Sequence, residues 1–365
     1  MKNWKLAFGL AATLSIASPA SAETTIVFGS PAGPDAPEGL AVKAFAEKVG
    51  EATDGEVVFE TSFSGSVVTW GTSLTGVRDN LVDATFLTPA FHPSELGATF
   101  VFIRLVTAPG ELNARTAAAA ETALLNCPQC QREWDRFNVR PLVVTGSDPF
   151  NMICKPEVTT LGAVEGKAIR AAGPFADYVK DMGGTPVSTV PTEVFEGMQR
   201  GQVDCAMGGV GWLRQFGLGD VAEYVLDETI GYDHARLPFS INADIWEGLD
   251  DDHRQAMIDN LGFLHAEANA LNTSYGLDAR QEAEAKGVQF VAMSDDLKAA
   301  SDAHREAVFD AAAAAATEQG VEGAAELVAS YRANLDKWNA IMAEIGDDRA
   351  AYEQALQREI YSKLN

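Results

Sequence analysis

Residues 161–212 read LGAVEGKAIRAAGPFADYVKDMGGTPVSTVPTEVFEGMQRGQVDCAMGGVGW. The segment alternates strand and helix. Lys167 to Arg170 is a short strand, and Pro174 to Met182 a helix closed by Gly183-Gly184. Pro186 to Val190 is a second strand. Thr192 to Arg200 is a second helix, with Thr192 as cap and Gly201 after its end. Val203 to Met207 is a third strand. Repeated β-α-β units imply a parallel sheet, and such sheets bind ligands beyond the carboxyl ends of their strands. Arg170 sits at such an end, on a mostly apolar strand. A buried unpaired cation is very costly. Arg170 therefore needs a partner, either one of the chain's many acids or a ligand carboxylate held in the guanidinium fork.

The same order of elements occurs earlier. Thr25 to Gly29 is a strand, Leu40 to Thr53 a helix with apolar residues at a 3.6-residue period, and Val57 to Thr61 a second strand. Ser73 to Asp79 is a helix and Asp83 to Leu87 a third strand. The fold class expected is α/β, a two-lobe binding-protein fold with a ligand cleft between the lobes and long C-terminal helices. Residues 141–156 cross from the first lobe to the second, and 237–241 cross back. Lobe I is expected over 23–147 plus about 237–275, lobe II over 148–236 plus about 276–330, and a helical extension over 331–365. Ile245 to Lys286 is read as largely helical and lying against both lobes, and Ser294 as the cap of another helix. Tyr331, Leu335, Trp338 and Ile341 recur at helical spacing, as a partner face or as an amphipathic helix packed on its own lobe.

Composition narrows the function. Lys2 and Lys5, the apolar run Leu6 to Ile16 and the small residues Ala20-Ser21-Ala22 form an export signal, cleaved before Glu23. No later run reaches the ~20 apolar residues of a spanning helix, so the mature chain is not expected to be membrane-embedded. The net charge of −25 argues against nucleic acid, which needs a basic face. Cys127, Cys130, Cys154 and Cys205 are expected to form disulfides in an oxidising compartment. Counting leaves three connectivities. Cys127 and Cys130 are close in sequence, and Cys154 on a crossing strand can neighbour Cys205 on the third strand of lobe II. The expected pairs are therefore Cys127–Cys130 and Cys154–Cys205. A single CxxC without nearby histidines is a weak metal signal, and no metal or cofactor is expected.

Nothing points to catalysis. Gly-x-Ser-x-Gly, the phosphate loop and His-Glu-x-x-His are all missing from the sequence. His92 can line the cleft or hold a plain loop position, whereas His253 and His265 are read onto solvated helix faces.

The order "Gly-Lys-x-Arg, helix, Gly-x-x-Pro-Val, helix, Gly-x-Val-Asp" resembles the substrate-binding proteins of TRAP transporters, the DctP type. So do Phe45-Ala46-Glu47-Lys48-Val49 with Thr53-Asp54-Gly55-Glu56-Val57, and Trp246-Glu247-Gly248-Leu249 before Asp250. Asn80 departs, standing where glycine is usual before Leu81-Val82-Asp83. The resemblance covers roughly residues 25–300. It implies a periplasmic receptor that catches a small organic acid and delivers it to the membrane subunits of an ion-driven transporter. It also implies that Arg170 holds the substrate carboxylate. Gly208 stands where many members have a ligand-binding asparagine, and Gly208-Gly209 can let backbone N–H groups approach a ligand. Trp212 is then a cleft wall or core packing. Trp70, Thr88 and Phe91 occupy positions where the family contacts substrate, and Arg104, Arg214 or Arg236 can supply a second cation. The missing asparagine and extra tryptophans separate this pocket from a sialic-acid-type site. A four-carbon dicarboxylate, another carboxylate or a sulfonate all fit. The alternatives are the receptor of an ATP-driven importer, and an exported enzyme or a redox protein using Cys127 and Cys130. N-terminal sequencing of exported protein is expected to begin at Glu23; an intact Met1 removes the export argument.

Overall fold

The computed structural model describes residues 23–364, so the export signal expected over 1–22 lies outside the described residues. Eleven strands are present among them. In chain order they are β1 (Thr24–Gly29), β2 (Val57–Ser62), β3 (Ala84–Leu87), β4 (Val139–Pro141), β5 (Phe150–Cys154), β6 (Ala168–Arg170), β7 (Thr185–Val187), β8 (Cys205–Gly209), β9 (Tyr224–Leu226), β10 (Leu237–Asn242) and β11 (Gln289–Val291). They form two sheets, ordered β2-β1-β3-β10-β4 and β11-β9-β5-β8-β6-β7. The two repeat one plan. In each, a parallel trio places its first strand between the second and the third. A crossing strand then pairs antiparallel beside the third: β10 beside β3, and β5 beside β8. Each crossing strand ends up central, and every residue of β5, β8 and β10 is buried. Strands covered on both faces read as near-continuous apolar runs. The register sets Cys154 directly opposite Cys205, and the two are bonded, as are Cys127 and Cys130. Closing the 51-residue loop between Cys154 and Cys205 constrains the unfolded chain by roughly 4 kcal/mol.

Local chemistry moves several element ends from where the periodicity put them. The first helix starts at Pro37, three residues early, because proline's fixed φ suits the first helical turn. The second helix of lobe II starts late. Pro191–Glu193 forms a 3-10 turn, Thr192 does not cap, and the helix is Val194–Gln199. The expected continuous helix over 245–286 is three: Ala243–Gly248, Asp251–Asp259 and Leu261–Ala285. The extended backbone of Leu249 and Asp250 makes the first break. Helix Leu261–Ala285 spans the molecule, packing on helix Pro37–Ala52 at one end and on helix Trp212–Gln215 at the other. Helices Gly97–Arg104, Leu112–Leu125 and Pro128–Arg136, unread in the sequence, fill the segment between β3 and β4. Helix Ala324–Ile345 lies on Leu112–Leu125 with Tyr331, Leu335 and Trp338 buried. Trp338 donates to Glu121 at 2.7 Å, so this stripe is packing within the chain.

His253 and His265 correct the solvated-face reading, since both are buried. His265 has no exposed surface and meets Tyr361 at 2.7 Å, Thr116 at 3.0 Å and Tyr352 at 3.1 Å. It ties the spanning helix to the C-terminal helix Arg349–Glu359 and its trailing turn. Burial lowers its pKa to about 3. The native state therefore refuses a proton that the unfolded chain accepts below about pH 6.5. The stability this confers is full above pH 6.5 and is lost as the pH falls toward 3. Buried Asp148, raised to about 6 by burial, acts in the opposite direction between about pH 4 and 6. A comparison of wild type with His265→Gln isolates the histidine. The stability gap between them should narrow by about 1.4 kcal/mol per pH unit from pH 6.5 to pH 4 in urea titrations. A gap constant with pH means that His265 takes up its proton as readily in the native state as in the unfolded chain.

Candidate functional site

The segments that follow β1 and β8 come together at one groove. A groove of about 670 Å³ is bounded by Gly33, Pro34 and Leu40 after β1 and by Arg214 and Gln215 after β8, with Tyr275 of the spanning helix as its wall. Arg170 is not in this lining. It lies deeper within lobe II, as the last residue of β6, paired to Val187 of β7 and flanking Ala206 of β8. Only 6% of it is exposed. Its Nε donates to the Thr189 carbonyl at 3.0 Å and its Nη1 to the Met207 carbonyl at 3.4 Å. No carboxylate among the described residues pairs with it, and burial alone lowers its pKa, to about 10. It is a charged guanidinium at neutral pH with donors to spare.

The Trp212 ring stands 5.0 Å from this guanidinium and is 8% exposed. It is edge-on to Phe150 and Phe216, and Phe150 stacks on Phe175 at 4.8 Å. The ring lies where a side chain on Gly208 would be, with Trp212 atoms 2.7 and 2.8 Å from an ideal Cβ there. Gly209 leaves room in the same way for the Asp148 carboxylate. What approaches these two glycines is thus the protein's own Trp212 and Asp148, while their backbones pair with Asn151 and Phe150 of β5. Asp148 accepts from Gly211 N at 2.5 Å and also abuts Gly276 of the spanning helix. The sequence reading missed Asp148. Its only signal was the cluster Gly208-Gly209-Val210-Gly211, whose bare Cα positions make room for it.

On lobe I, Trp70 stacks on Phe91 at 5.2 Å and meets Phe86 edge-on at 5.4 Å. Phe91 is 41% exposed. Thr88 is buried at the start of the turn Pro89–Phe91. His92 is buried against Ser73 at 3.3 Å, and burial lowers its pKa. Two of the three candidate second cations are engaged elsewhere. Arg214 holds Glu282 in a two-pronged surface pair at 2.6 and 3.0 Å. Arg236 is half-buried and pairs with Glu38 and with Asp233, the latter at 3.4 Å. Arg104 is half-buried over Phe100, with its Nε unpartnered and the charge of Asp177 nearby. A second buried arginine without a carboxylate, Arg115, also escaped the sequence reading. It is closed in by the carbonyls of Leu105 and Val106 and by His234, all within 2.9 Å, and does not reach the surface.

Gly208→Ala should test this packing. The added methyl overlaps the Trp212 ring, so the ring must leave its place beside Arg170. The strand itself accepts alanine, so the fold should persist with a loss of about 1–3 kcal/mol in urea melts and an altered near-UV tryptophan signal. Unchanged spectra and stability would show that the ring is not lodged there.

A sequence profile of the bacterial extracellular solute-binding protein family 7, DctP, matches residues 28–316. Solved structures share the fold. A marine metagenome TRAP solute-binding protein specific for aromatic acid ligands superposes with a TM-score of 0.76 at 19% identity, over 87% of this chain and 100% of that one. A TRAP solute-binding protein from Rhodoferax ferrireducens, in complex with copurified benzoate, gives 0.74 at 16% identity over 87% and 99%. One from Chromohalobacter salexigens with bound d-glucuronate gives 0.69 at 19% over 85% and 99%. With the profile spanning both sheets and all the strands from Phe28 onward, the chain belongs to the bacterial extracellular solute-binding protein family 7.

Proposed function

We propose that this protein captures a small organic anion in the periplasm and hands it to the membrane subunits of a TRAP-type secondary transporter. The anion is a carboxylate, with four-carbon dicarboxylates among the candidates. The chain is exported with its first 22 residues removed, and two lobes close over the ligand, 23–147 with about 237–275 against 148–236 with about 276–330. The observation that carries this reading is Arg170, a desolvated guanidinium at a strand end with no carboxylate of its own. A ligand carboxylate supplies the missing charge through two parallel hydrogen bonds. Trp212, beside Arg170, and the Trp70–Phe91 pair with Thr88 on the opposite lobe are the proposed walls. The solved relatives support a carboxylate as the shared feature, because benzoate and d-glucuronate have little else in common.

Mass spectrometry of ligand carried through purification should find an organic acid. With that acid in calorimetry, Arg170→Ala should weaken binding at least about tenfold, since charge-assisted bonds contribute about 1.5–3 kcal/mol each. Arg170→Lys keeps the charge but loses the fork and should recover only part of the loss. Both variants should melt near the wild-type temperature. Full affinity in a folded Arg170→Ala protein would place the anion elsewhere.

A further inference from the structure

We infer that the indole of Trp212 is a gate, which lies on the Arg170 guanidinium and is displaced from it by a carboxylate, so that admission depends on the ligand's charge. The inference rests on Arg170 as the anion's partner and adds how that partner is reached. Position carries the first part. Arg170 of β6 is registered with Ala206 of β8. Ala206 and Gly208 are two residues apart on one strand and share a face. Asn151 of β5 stands directly opposite Gly208 on that face. The Trp212 ring fills the place of a Gly208 side chain and is 5.0 Å from the guanidinium. Arg170 is thereby left only 6% exposed. The buried Oδ1 of Asn151 has no partner, and its amide cannot be turned round, because Nδ2 already donates to the carbonyls of Leu226 and Glu228. The 670 Å³ groove reaches Arg214 and Gln215 of the helix that Trp212 begins, but its lining stops short of Arg170.

The hold on the ring carries the second part. Trp134 and Trp338 are anchored by indole N–H bonds, to Thr99 at 3.0 Å and to Glu121 at 2.7 Å. Trp212 donates to no described residue. Its ring meets only the Gly208 backbone, the guanidinium and, edge-on, Phe150 and Phe216. The backbone before it is fixed by the bond from Gly211 N to Asp148, so the part free to move is the side chain.

The exchange favours an anion. A ring face offsets a buried cation only in part, whereas a carboxylate accepts two parallel charge-assisted bonds. A ligand shifts a two-state element only by its difference in affinity for the two states. Here that difference is the guanidinium's choice between ring and ligand. A neutral molecule offers Arg170 no more than the ring does and leaves the gate shut.

The test uses the mature protein, stripped of carried acid by unfolding in guanidinium and refolded with its disulfides intact. Phenylglyoxal labels accessible guanidinium groups, and peptide mass spectrometry reads Arg170 against the exposed Arg132 and Arg200. Arg170 should label at least about tenfold faster in Trp212→Ala than in wild type, the ratio reporting the fraction of time the gate is open. Gly208→Ala, which expels the ring but keeps it in the chain, should label as fast. Equal rates in the folded variants overturn the inference. Acetate, succinate and benzoate then probe the site. At least one should protect Arg170 in these variants, and in wild type the same acid should shift an indole emission that Trp212→Phe lacks. Protection of wild-type Arg170 with no change at Trp212 makes the ring a fixed wall, which overturns the gate and leaves Arg170 as the anion's partner. Failure of all three acids to protect Arg170 in the ring-displaced variants overturns the reading of Arg170 itself.

Discussion

A guanidinium removed from water without a carboxylate beside it is the constraint around which lobe II is arranged. Burial already lowers the pKa of Arg170 to about 10, and only two backbone carbonyls and the face of Trp212 offset that. Cation–π contact contributes about 0.5–2 kcal/mol, less than a full counter-ion supplies. The strand end therefore carries a charge that the chain itself does not neutralise. The protein tolerates this because the cost is confined to one residue of a fold otherwise held by a continuous apolar core.

The charges where the sheets join follow the opposite rule. Arg236, on the returning segment, is matched by Glu38 at the start of helix Pro37–Ala52 and by Asp233. Asn272 of the spanning helix donates to the same Glu38 at 3.2 Å. The returning segment, the spanning helix and the first helix of lobe I are thereby cross-linked by groups that satisfy one another. A buried pair of this kind is weak evidence for stability but strongly resists the loss of one partner. Pairing is complete there and incomplete at Arg170.

Much of this was legible in the sequence where local rules act alone. Alternating strand and helix, with Gly183 and Gly55 at helix ends, gave both parallel trios, because periodicity and turn chemistry are local. The arginine on an apolar strand was legible too, since a charge there needs a reason. The short strands β9 and β11 were not, because three residues carry no usable period and pair only after the chain returns. Helix Leu112–Leu125 was hidden by its alanines, which bury on every side and show no face. His253 and His265 sit among polar neighbours in sequence, yet both point inward. Only tertiary packing against Glu56 and Tyr361 decides that.

Asp148 shows the same limit at the site. A carboxylate two residues before β5 has no sequence pattern that marks it as buried. Two chain segments close around it with glycine at each point of contact, Gly209 and Gly211 on one and Gly276 on the other. Removing one Cβ from each leaves a niche of carboxylate size and exposes the Gly211 N–H as its donor. That bond anchors the residue directly before Trp212. The ring beside Arg170 is thus located through Gly211 by the Asp148 carboxylate, and β8 must carry glycine at both Gly208 and Gly209 for ring and carboxylate to fit at once. Side-chain chemistry in this lobe is set by the absence of side chains, which a reading based on what each residue contributes does not see.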